Sequence, residues 1–154
     1  MQNWDEEFNE IMQRRLKQYK EKRNNIETNY NLNKENYPNI PIILTDYNFT
    51  GSVNKYHFLI VDFWAAWCGP CRTISPIIEQ LSNEFSGKAV FGKLNVDENP
   101  RISNAFEIQS IPTIIIFKNG QAIDRIIGTM IKSQLVLKIS NHIKGSSDGR
   151  FNDS

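Results

Sequence analysis

The chain has 154 residues, a formal net charge of +1 and two cysteines; this length suits one ordinary domain, and the balanced charge gives no reason to expect nucleic acid or an acidic surface as a partner. Two cysteines cannot form the disulfide framework of a small secreted protein, no apolar run approaches the roughly 20 residues of a membrane span, and no secretory signal is visible at the start. We therefore expect a cytoplasmic protein.

Residues 2–23 are predicted to form an exposed amphipathic helix. Acids cluster at its start and bases at its end, as the helix dipole favours. Seven apolar residues share one arc, which Arg15 and Lys22 interrupt: Trp4, Phe8, Ile11, Met12, Leu16, Tyr19 and Ile26. We expect this face to pack on the chain's own domain or on an identical helix, with a specific partner or a membrane surface as alternatives; balanced charge disfavours the membrane. The polar segment Asn24–Asn39 is predicted to be a linker.

From residue 40 onward, short apolar runs alternate with helical patterns in the order β-α-β-α-β-α-β-β-α. The predicted strands are Ile42–Leu44, Phe58–Trp64, Ala89–Val96, Thr113–Phe117 and Ala122–Ile127. The almost continuously apolar second strand belongs in the centre of the sheet, and Asn119-Gly120 predicts that the last two strands form an antiparallel hairpin. The pattern indicates an α/β fold: a mixed five-stranded sheet with helices on both faces.

Helices are predicted over Tyr47–Val53, Pro70–Phe85, Pro100–Phe106 and a final segment with Ile131, Leu135, Ile139 and Ile143 on one face. Thr45-Asp46 is expected to cap the first of these helices, and Asn99 to cap the third. The polar, glycine-containing segment Gly145–Ser154 is predicted to be a disordered tail.

Both cysteines lie in Trp67-Cys68-Gly69-Pro70-Cys71, between a strand and a helix. Two thiols separated by two residues are typical of a redox pair. Cys71 shares the apolar face of the helix and should be covered, whereas Cys68 precedes the first turn and should be open to solvent and partners. Because a helix start stabilises negative charge, we expect Cys68 to be the attacking nucleophile and Cys71 the resolving thiol.

A zinc site is an alternative, because two histidines, His57 and His142, accompany the cysteines. No histidine pair has the short spacing of a zinc finger, and the two histidines lie far apart in the sequence. We therefore expect no metal, and we expect both histidines at the ends of strands and helices.

The sequence resembles the thioredoxin family over roughly residues 42–144, and the first 40 residues fall outside the resemblance. The matching segments are VDFWAAWCGPC (Val61–Cys71), Pro76, GKLNVDENP (Gly92–Pro100), IPT (Ile111–Thr113), FKNG (Phe117–Gly120) and Gly128. Ser110 stands where thioredoxins usually have glycine. The predicted organisation is a helix and linker over residues 1–40, a thioredoxin domain over 41–144 and the tail over 145–154.

The resemblance implies a dithiol–disulfide oxidoreductase that reduces disulfides in client proteins. Cys68 would form a mixed disulfide with the client, and Cys71 would displace the reduced client. The implied partners are clients and a thioredoxin reductase, with no cofactor beyond the redox-active disulfide. A disulfide isomerase or oxidase of the same fold, or a binding module delivered by the N-terminal helix, remains the alternative. The uncharged Gly69-Pro70 pair between the cysteines favours a reductant.

Asp62 is an unusual residue for a central apolar strand, because desolvation disfavours its charged form. The family uses this aspartate as a proton acceptor and donor for the buried cysteine, through water. Lys93 faces it in relatives and is a candidate catalytic residue beside it, although a lysine can also extend its ammonium group to the surface.

The resemblance also implies a cis bond between Ile111 and Pro112 beside the cysteines. There the backbone of the loop can pair with an extended client strand. The predicted client-binding patch comprises Trp67, Gly69, Pro70, Ile111, Pro112 and Gly128, with Thr129 beside it. Trp64 is expected to pack under the loop.

Overall fold

The computed structural model describes residues 4–34 and 37–147, with the side chains of residues 6–24 and 37–145. The chain divides into two compact units, Met1–Asn36 and Tyr37–Ser154. Within the described ranges, no helix combines the length and the apolarity needed to cross a membrane.

The first unit contains helix α1 (Trp4–Lys34), which is 31 residues long. The helix was expected to end near residue 23, so the linker prediction is wrong for residues 24–34. The asparagines of that segment are poorer helix formers than alanine by at most about 0.7 kcal/mol each, and the segment contains neither glycine nor proline. The first strong helix breaker is Pro38, which also disfavours helical backbone at the residue before it.

The second unit has the predicted order of strands and helices. Its elements are β1 (Ile42–Leu44), α2 (Phe49–Lys55), β2 (Phe58–Trp64), α3 (Gly69–Glu84), β3 (Val90–Asn95), α4 (Pro100–Ala105), β4 (Thr113–Lys118), β5 (Gln121–Ile127) and α5 (Lys132–Ser147). Helix α5 continues through residues 145–147, so the predicted disordered tail is wrong there. Residues 148–154 of that tail lie outside the described ranges.

The five strands form one mixed sheet in the order β1-β3-β2-β4-β5. Strand β2 lies in the centre, parallel to β3 and antiparallel to β4. Strands β4 and β5 pair antiparallel. At their turn, Asn119 and Gly120 both have positive φ, 52° and 82°, as the predicted asparagine-glycine hairpin requires.

Two apolar clusters cover the two faces of the sheet, which confirms helices on both sides. The first packs α3 and α5 against the sheet and includes Phe58, Ile60, Ile74, Ile78, Leu81, Phe91, Ile114, Leu135 and Ile139. The second packs α2 and α4 against the opposite face and includes Leu44, Phe49, Val53, Leu59, Val61, Phe63, Leu94, Ile102, Ile115 and Phe117. Successive residues of β2 therefore alternate between the two clusters.

The predicted helix caps are wrong, because the two capping side chains act on different partners. Asp46 accepts hydrogen bonds from the backbone N–H groups of Arg101 and Ile102, at 3.1 and 2.8 Å, and so caps α4. Asn99, the N-cap residue of α4, makes no side-chain cap there. Its Oδ1 instead accepts the backbone N–H of Asp46 at 2.9 Å. Two segments more than fifty residues apart are thereby fastened together.

Helix α2 begins two residues later than predicted, at Phe49, with Asn48 as its N-cap. Thr45 organises the preceding turn: its hydroxyl oxygen accepts the backbone N–H of Asn48 at 3.2 Å. The side chain of Asn48 in turn accepts the backbone N–H of Thr45 at 2.7 Å. This reciprocal pair uses the residues that would otherwise form the first turn of the helix.

Candidate active site

The two cysteines form a disulfide at the start of α3, where the chain leaves the central strand of the sheet. Their Cα atoms lie 5.3 Å apart. Cys68 is the N-cap residue, and its Sγ accepts the backbone N–H of Cys71 at 3.2 Å. Pro70 occupies the first turn, where a missing N–H leaves no hydrogen bond unmade. The sulfur of Cys68 therefore occupies the position that an anionic cap takes at a helix start.

Cys68 was expected to be open to solvent, and in the disulfide form this is wrong. Its exposed fraction is 3%, against 2% for Cys71. Cys68, Cys71 and Ala65 form a small buried cluster against which Trp64 and Ile111 pack. Sequence spacing shows which face of a helix a residue occupies, but it does not show which distant loop covers it.

The loop that covers Cys68 carries a cis bond between Ile111 and Pro112, which confirms the expectation from the resemblance. The carbonyl oxygen of Ile111 lies 3.7 Å from Cys68 Sγ. The carbonyl oxygen of Pro112 accepts the N–H of Gly128 at 2.8 Å. The hydroxyl of Thr113 donates to the carbonyl oxygen of Ser110 at 2.5 Å. The hydrogen bond between Pro112 and Gly128 joins two segments of the predicted client patch.

Trp67, the residue before Cys68, is 69% exposed, as the predicted client patch requires. Its indole Nε1–H donates to Asp97 Oδ2 at 2.9 Å. Sequence reasoning assigned no role to Asp97. A signal was present, because Asp97 follows β3 closely and parallel strands end at the same edge of a sheet, here the edge from which Trp67 emerges.

The other residues of the predicted patch differ in their exposure to solvent. Gly69 and Pro70 are exposed, Ile111 and Gly128 are half-buried, and Pro112 is buried. Trp64 is half-buried and packs against the cysteine cluster, as expected for a residue beneath the loop. The patch therefore combines exposed apolar surface with the backbone of a fixed loop.

Asp62 is 1% exposed, and neither of its carboxylate oxygens has a hydrogen-bond partner within the described part of the chain. Burial raises the pKa of this carboxyl from its ordinary value of 3.8 to about 6, an effect that the charge of Lys93 partly offsets. An acid with such a pKa exchanges its proton close to neutral pH, as a general acid or base must.

Lys93 is the register partner of Asp62 on the neighbouring parallel strand, so the predicted facing arrangement is present. Its ammonium group donates to the hydroxyl oxygen of Ser75, and its Nζ lies 5.4 Å from the centre of the Trp64 ring. The backbone of Lys93 therefore lies beside Asp62, and its head group contacts Ser75 and Trp64.

A cavity of about 230 Å³ connects these groups. Its lining residues are Asp62, Trp64, Ala65, Ala66, Cys71, Arg72, Ser75 and Lys93. The volume is sufficient for several water molecules, and the polar groups that such waters need are present. Cys71 lines this cavity and Cys68 does not. The two sulfurs therefore differ in their surroundings: Cys71 borders the cavity that Asp62 also lines, whereas the Cys68 sulfur lies 3.7 Å from the carbonyl oxygen of Ile111.

The two histidines make hydrogen bonds to different partners in different parts of the domain. His57, just before β2, contacts Asn119, and His142, in the last turns of α5, contacts Asp124 at 2.9 Å. Among the residues that the structure describes, no group of three or more histidine, cysteine, aspartate or glutamate side chains is arranged to hold a metal ion.

Comparisons with known proteins agree with this geometry. Residues 40–141 match the thioredoxin family model. A thioredoxin of Chlorobaculum thiosulfatiphilum is 47% identical over 100 residues, which cover 64% of this chain and 93% of that protein. Thioredoxin 2 of Chlorobaculum tepidum is 45% identical over 100 residues, covering 64% and 92%. A mutant thioredoxin from Halobacterium salinarum is similar in structure, with a TM-score of 0.65 at 25% identity, covering 70% of this chain and 94% of that one.

The chain has a disulfide at the start of a helix that follows the central strand of a five-stranded sheet. Its matches cover more than nine tenths of the two Chlorobaculum thioredoxins. Together these findings define a dithiol–disulfide oxidoreductase. The family match covers well over half of the sequence. The chain belongs to the thioredoxin family, and helix α1 lies outside the matched region.

Proposed function

We propose that this oxidoreductase works as a protein-disulfide reductase in which Cys68 attacks and Cys71 resolves. The Cys68 thiolate attacks one sulfur of a client disulfide, forming a mixed disulfide and releasing the other client sulfur as a thiolate. The Cys71 thiolate then attacks the Cys68 sulfur and expels the second client thiolate. Two electrons pass to the client, and the disulfide between Cys68 and Cys71 remains.

The observation that carries this order of attack is the hydrogen bond from the Cys71 amide to the Cys68 sulfur at the N-cap of α3. Negative charge on Cys68 is stabilised by that donor and by the helix dipole. Cys71 lines the cavity of the buried acid, and it has no comparable position at the helix start. The thiolate is therefore favoured at Cys68 in the reduced protein.

Asp62 is proposed to accept the proton that Cys71 must lose before it attacks. Both residues line the same cavity, and the pKa of Asp62, about 6, lets it accept a proton at neutral pH. Proton transfer through water in the cavity agrees with the unpartnered carboxylate oxygens. Lys93 is a positioning residue here, because its charge opposes the rise in the pKa of Asp62.

The client is proposed to lie in extended form on the patch around the disulfide. Trp67, Gly69 and Pro70 supply exposed surface, and the backbone of Ile111 and Pro112 is available for strand-like pairing. Gly128 supports the loop through its hydrogen bond to Pro112 and adds no side chain at the edge of the patch.

A thioredoxin reductase is the proposed source of electrons for the next cycle, in a reducing cytoplasm. The relatives are thioredoxins, which supports this partner class. The sulfur pair itself carries the two electrons, so the proposal includes no cofactor.

Reduction of insulin by the two single-cysteine variants tests this proposal. Cys68→Ser should abolish turnover, because the attacking sulfur is lost. Cys71→Ser should also lose turnover, but it should accumulate as a mixed disulfide with insulin, visible on a non-reducing gel and removed by dithiothreitol. Full turnover by Cys68→Ser, or a mixed disulfide formed by Cys71 in that variant and none by Cys68 in the other, overturns the order of attack.

A further inference from the structure

Helix α1 presents a stripe of apolar side chains that the described structure leaves exposed. Its members are Phe8, Ile11, Met12, Leu16 and Tyr19, and each is between 42% and 73% exposed. They recur at helical spacing, so they lie along one face of the helix. We call this set the α1 stripe. A contiguous apolar surface of this kind is typical of an interaction site rather than of a free helix.

The charges of α1 are divided into two blocks. Residues 4–13 contain four acids and no base, a formal charge of −4, and residues 14–23 contain six bases and one acid, a formal charge of +5. The boundary between the blocks lies between Gln13 and Arg14. A surface of uniform charge, such as an anionic membrane, complements only one of the two blocks.

The α1 stripe is centred on the same boundary. Phe8 and Tyr19 lie at equal distances on either side of it, and so do Ile11 and Leu16. A two-fold axis placed between Gln13 and Arg14 therefore brings Phe8 opposite Tyr19 and Ile11 opposite Leu16 of an identical, antiparallel helix, whereas Met12 comes opposite Arg15. The same axis brings the acidic block of each helix opposite the basic block of the other.

We propose that α1 is a self-association helix, which pairs antiparallel with α1 of a second copy of this chain. Phe8 packs against Tyr19 of the second copy, and Ile11 packs against Leu16 of the second copy, on both sides of the axis. A parallel pair buries the same stripe but sets acid against acid and base against base. Charge therefore selects the antiparallel arrangement.

Arg15 interrupts the arc of the stripe, and the proposed register gives it a suitable environment. It lies opposite Met12 of the second copy, so its aliphatic stem covers apolar surface while its guanidinium group extends toward the acidic block. Pairing also supplies the burial that an isolated helix in water lacks. Two dithiol domains would then belong to one assembly.

Sedimentation velocity of the full-length protein, over a range of concentrations, tests the proposal. We expect a species of twice 17.9 kDa that dissociates on dilution. Leu16→Lys places a charge in the stripe and should raise the dimer dissociation constant at least about tenfold. Gln13→Lys is the matched control, because it adds the same residue close by but off the stripe, and it should stay near wild type. Insulin reduction by both variants should equal that of wild type, which shows that the thioredoxin domain is folded.

Salt dependence tests the orientation of the two helices. Charges of opposite sign attract across an antiparallel pair, so raising NaCl from about 0.05 M to about 1 M should weaken the dimer. A dimer that strengthens with salt contradicts the antiparallel arrangement. A protein that is monomeric up to about 1 mM, whether α1 binds the rest of the chain or an unrelated partner, overturns the proposal. So does equal association of Leu16→Lys and Gln13→Lys.

Discussion

Both faces of the sheet carry an apolar cluster, and they differ at one residue of β2, which lies between Val61 and Phe63. On the face covered by α2 and α4, Val61 and Phe63 join a wholly apolar cluster. On the face covered by α3 and α5, the residue between them, Asp62, lies buried near Cys71. Burial of a carboxylate without a hydrogen-bond partner costs stability, whereas burial of a phenyl ring supplies it. The comparison separates the residues that hold the fold from the one that we propose moves a proton.

The largest expected effect on stability comes from truncating the apolar face. The Phe117 ring lies 5.6 Å from Phe49 and 5.4 Å from Phe106, between centroids, and it is almost fully buried. Phe117→Ala should lower the free energy of unfolding by about 3–5 kcal/mol in urea titrations. Insulin reduction should stay near the wild-type rate wherever the variant is folded. A stability loss below about 1 kcal/mol would show that this face is not a close-packed core.

Asp62→Asn should have the opposite effect on stability, in a way that depends on pH. The pKa of Asp62 is about 6 in the folded protein and 3.8 ordinarily. As pH rises from about 4 to about 6, the unfolded chain releases this proton before the folded protein does. The free energy of unfolding of the wild type therefore falls by roughly 3 kcal/mol. The oxidised variant should therefore be more stable than the oxidised wild type by roughly 3 kcal/mol above pH 6 and similar near pH 4. A difference that is constant with pH contradicts this account.

Asp124→Asn is a matched control, because its effect on stability at neutral pH should have the opposite sign to that of Asp62→Asn. Burial raises the pKa of Asp124. Hydrogen bonds from His142 and from the backbone N–H of Arg125, together with the nearby charge of Lys138, lower the pKa by more than burial raises it, so it lies below its ordinary value of 3.8. A carboxyl of this kind stabilises the fold above its ordinary pKa and loses that contribution as pH falls. Asp124→Asn should therefore be less stable than wild type at neutral pH and no less stable at low pH.

The same Asp62→Asn variant tests the proton transfer. If Asp62 accepts the proton of Cys71, reduction of insulin should slow most above pH 6, by up to on the order of 10²-fold in the resolving step. The measurement is the rate of reduction from pH 5 to pH 8 for wild type and variant. An unchanged pH–rate profile would remove Asp62 from the reaction.

Most of the fold could be predicted because its signals are local. Continuous apolar runs, helical periodicity and the Asn119-Gly120 turn lie within single elements, and the structure has them in the predicted order. The interactions that prediction missed join distant segments. Asp46 caps a helix more than fifty residues away, and Asp97 holds Trp67 from another strand end. The cover over Cys68 comes from the loop at Ile111.

The limits on predicting the site have the same origin. The spacing of the cysteines indicates a redox pair, and the apolar setting of Asp62 indicates a shifted pKa, since both are features of single segments. The cavity shared by Asp62 and Cys71 exists only once a strand and a helix have packed together. The end of α1 at Lys34 was missed for a different reason, because weak helix formers without a breaker leave the boundary undefined.

The smallest effect on stability is expected from the side chain of Asp46, which lies in the loop before α2 and caps α4. Asp46→Ala removes the acceptor for two backbone N–H groups of α4 and should cost about 1 kcal/mol of stability, measured by urea unfolding. Asp46→Asn keeps an acceptor oxygen and should recover most of that loss. Equal stability of Asp46→Ala and wild type would show that water replaces the cap without cost.

The asymmetry between the two sulfurs is the centre of the account, and their similar exposure makes it testable. The fully reduced protein is treated with less than one equivalent of iodoacetamide at neutral pH, and the modified residue is identified by mass spectrometry. Because accessibility hardly distinguishes the cysteines in the disulfide form, selectivity should follow the thiolate stabilised at the helix start. We expect modification at Cys68 with Cys71 left free; equal modification, or modification at Cys71 first, would contradict a thiolate favoured at Cys68.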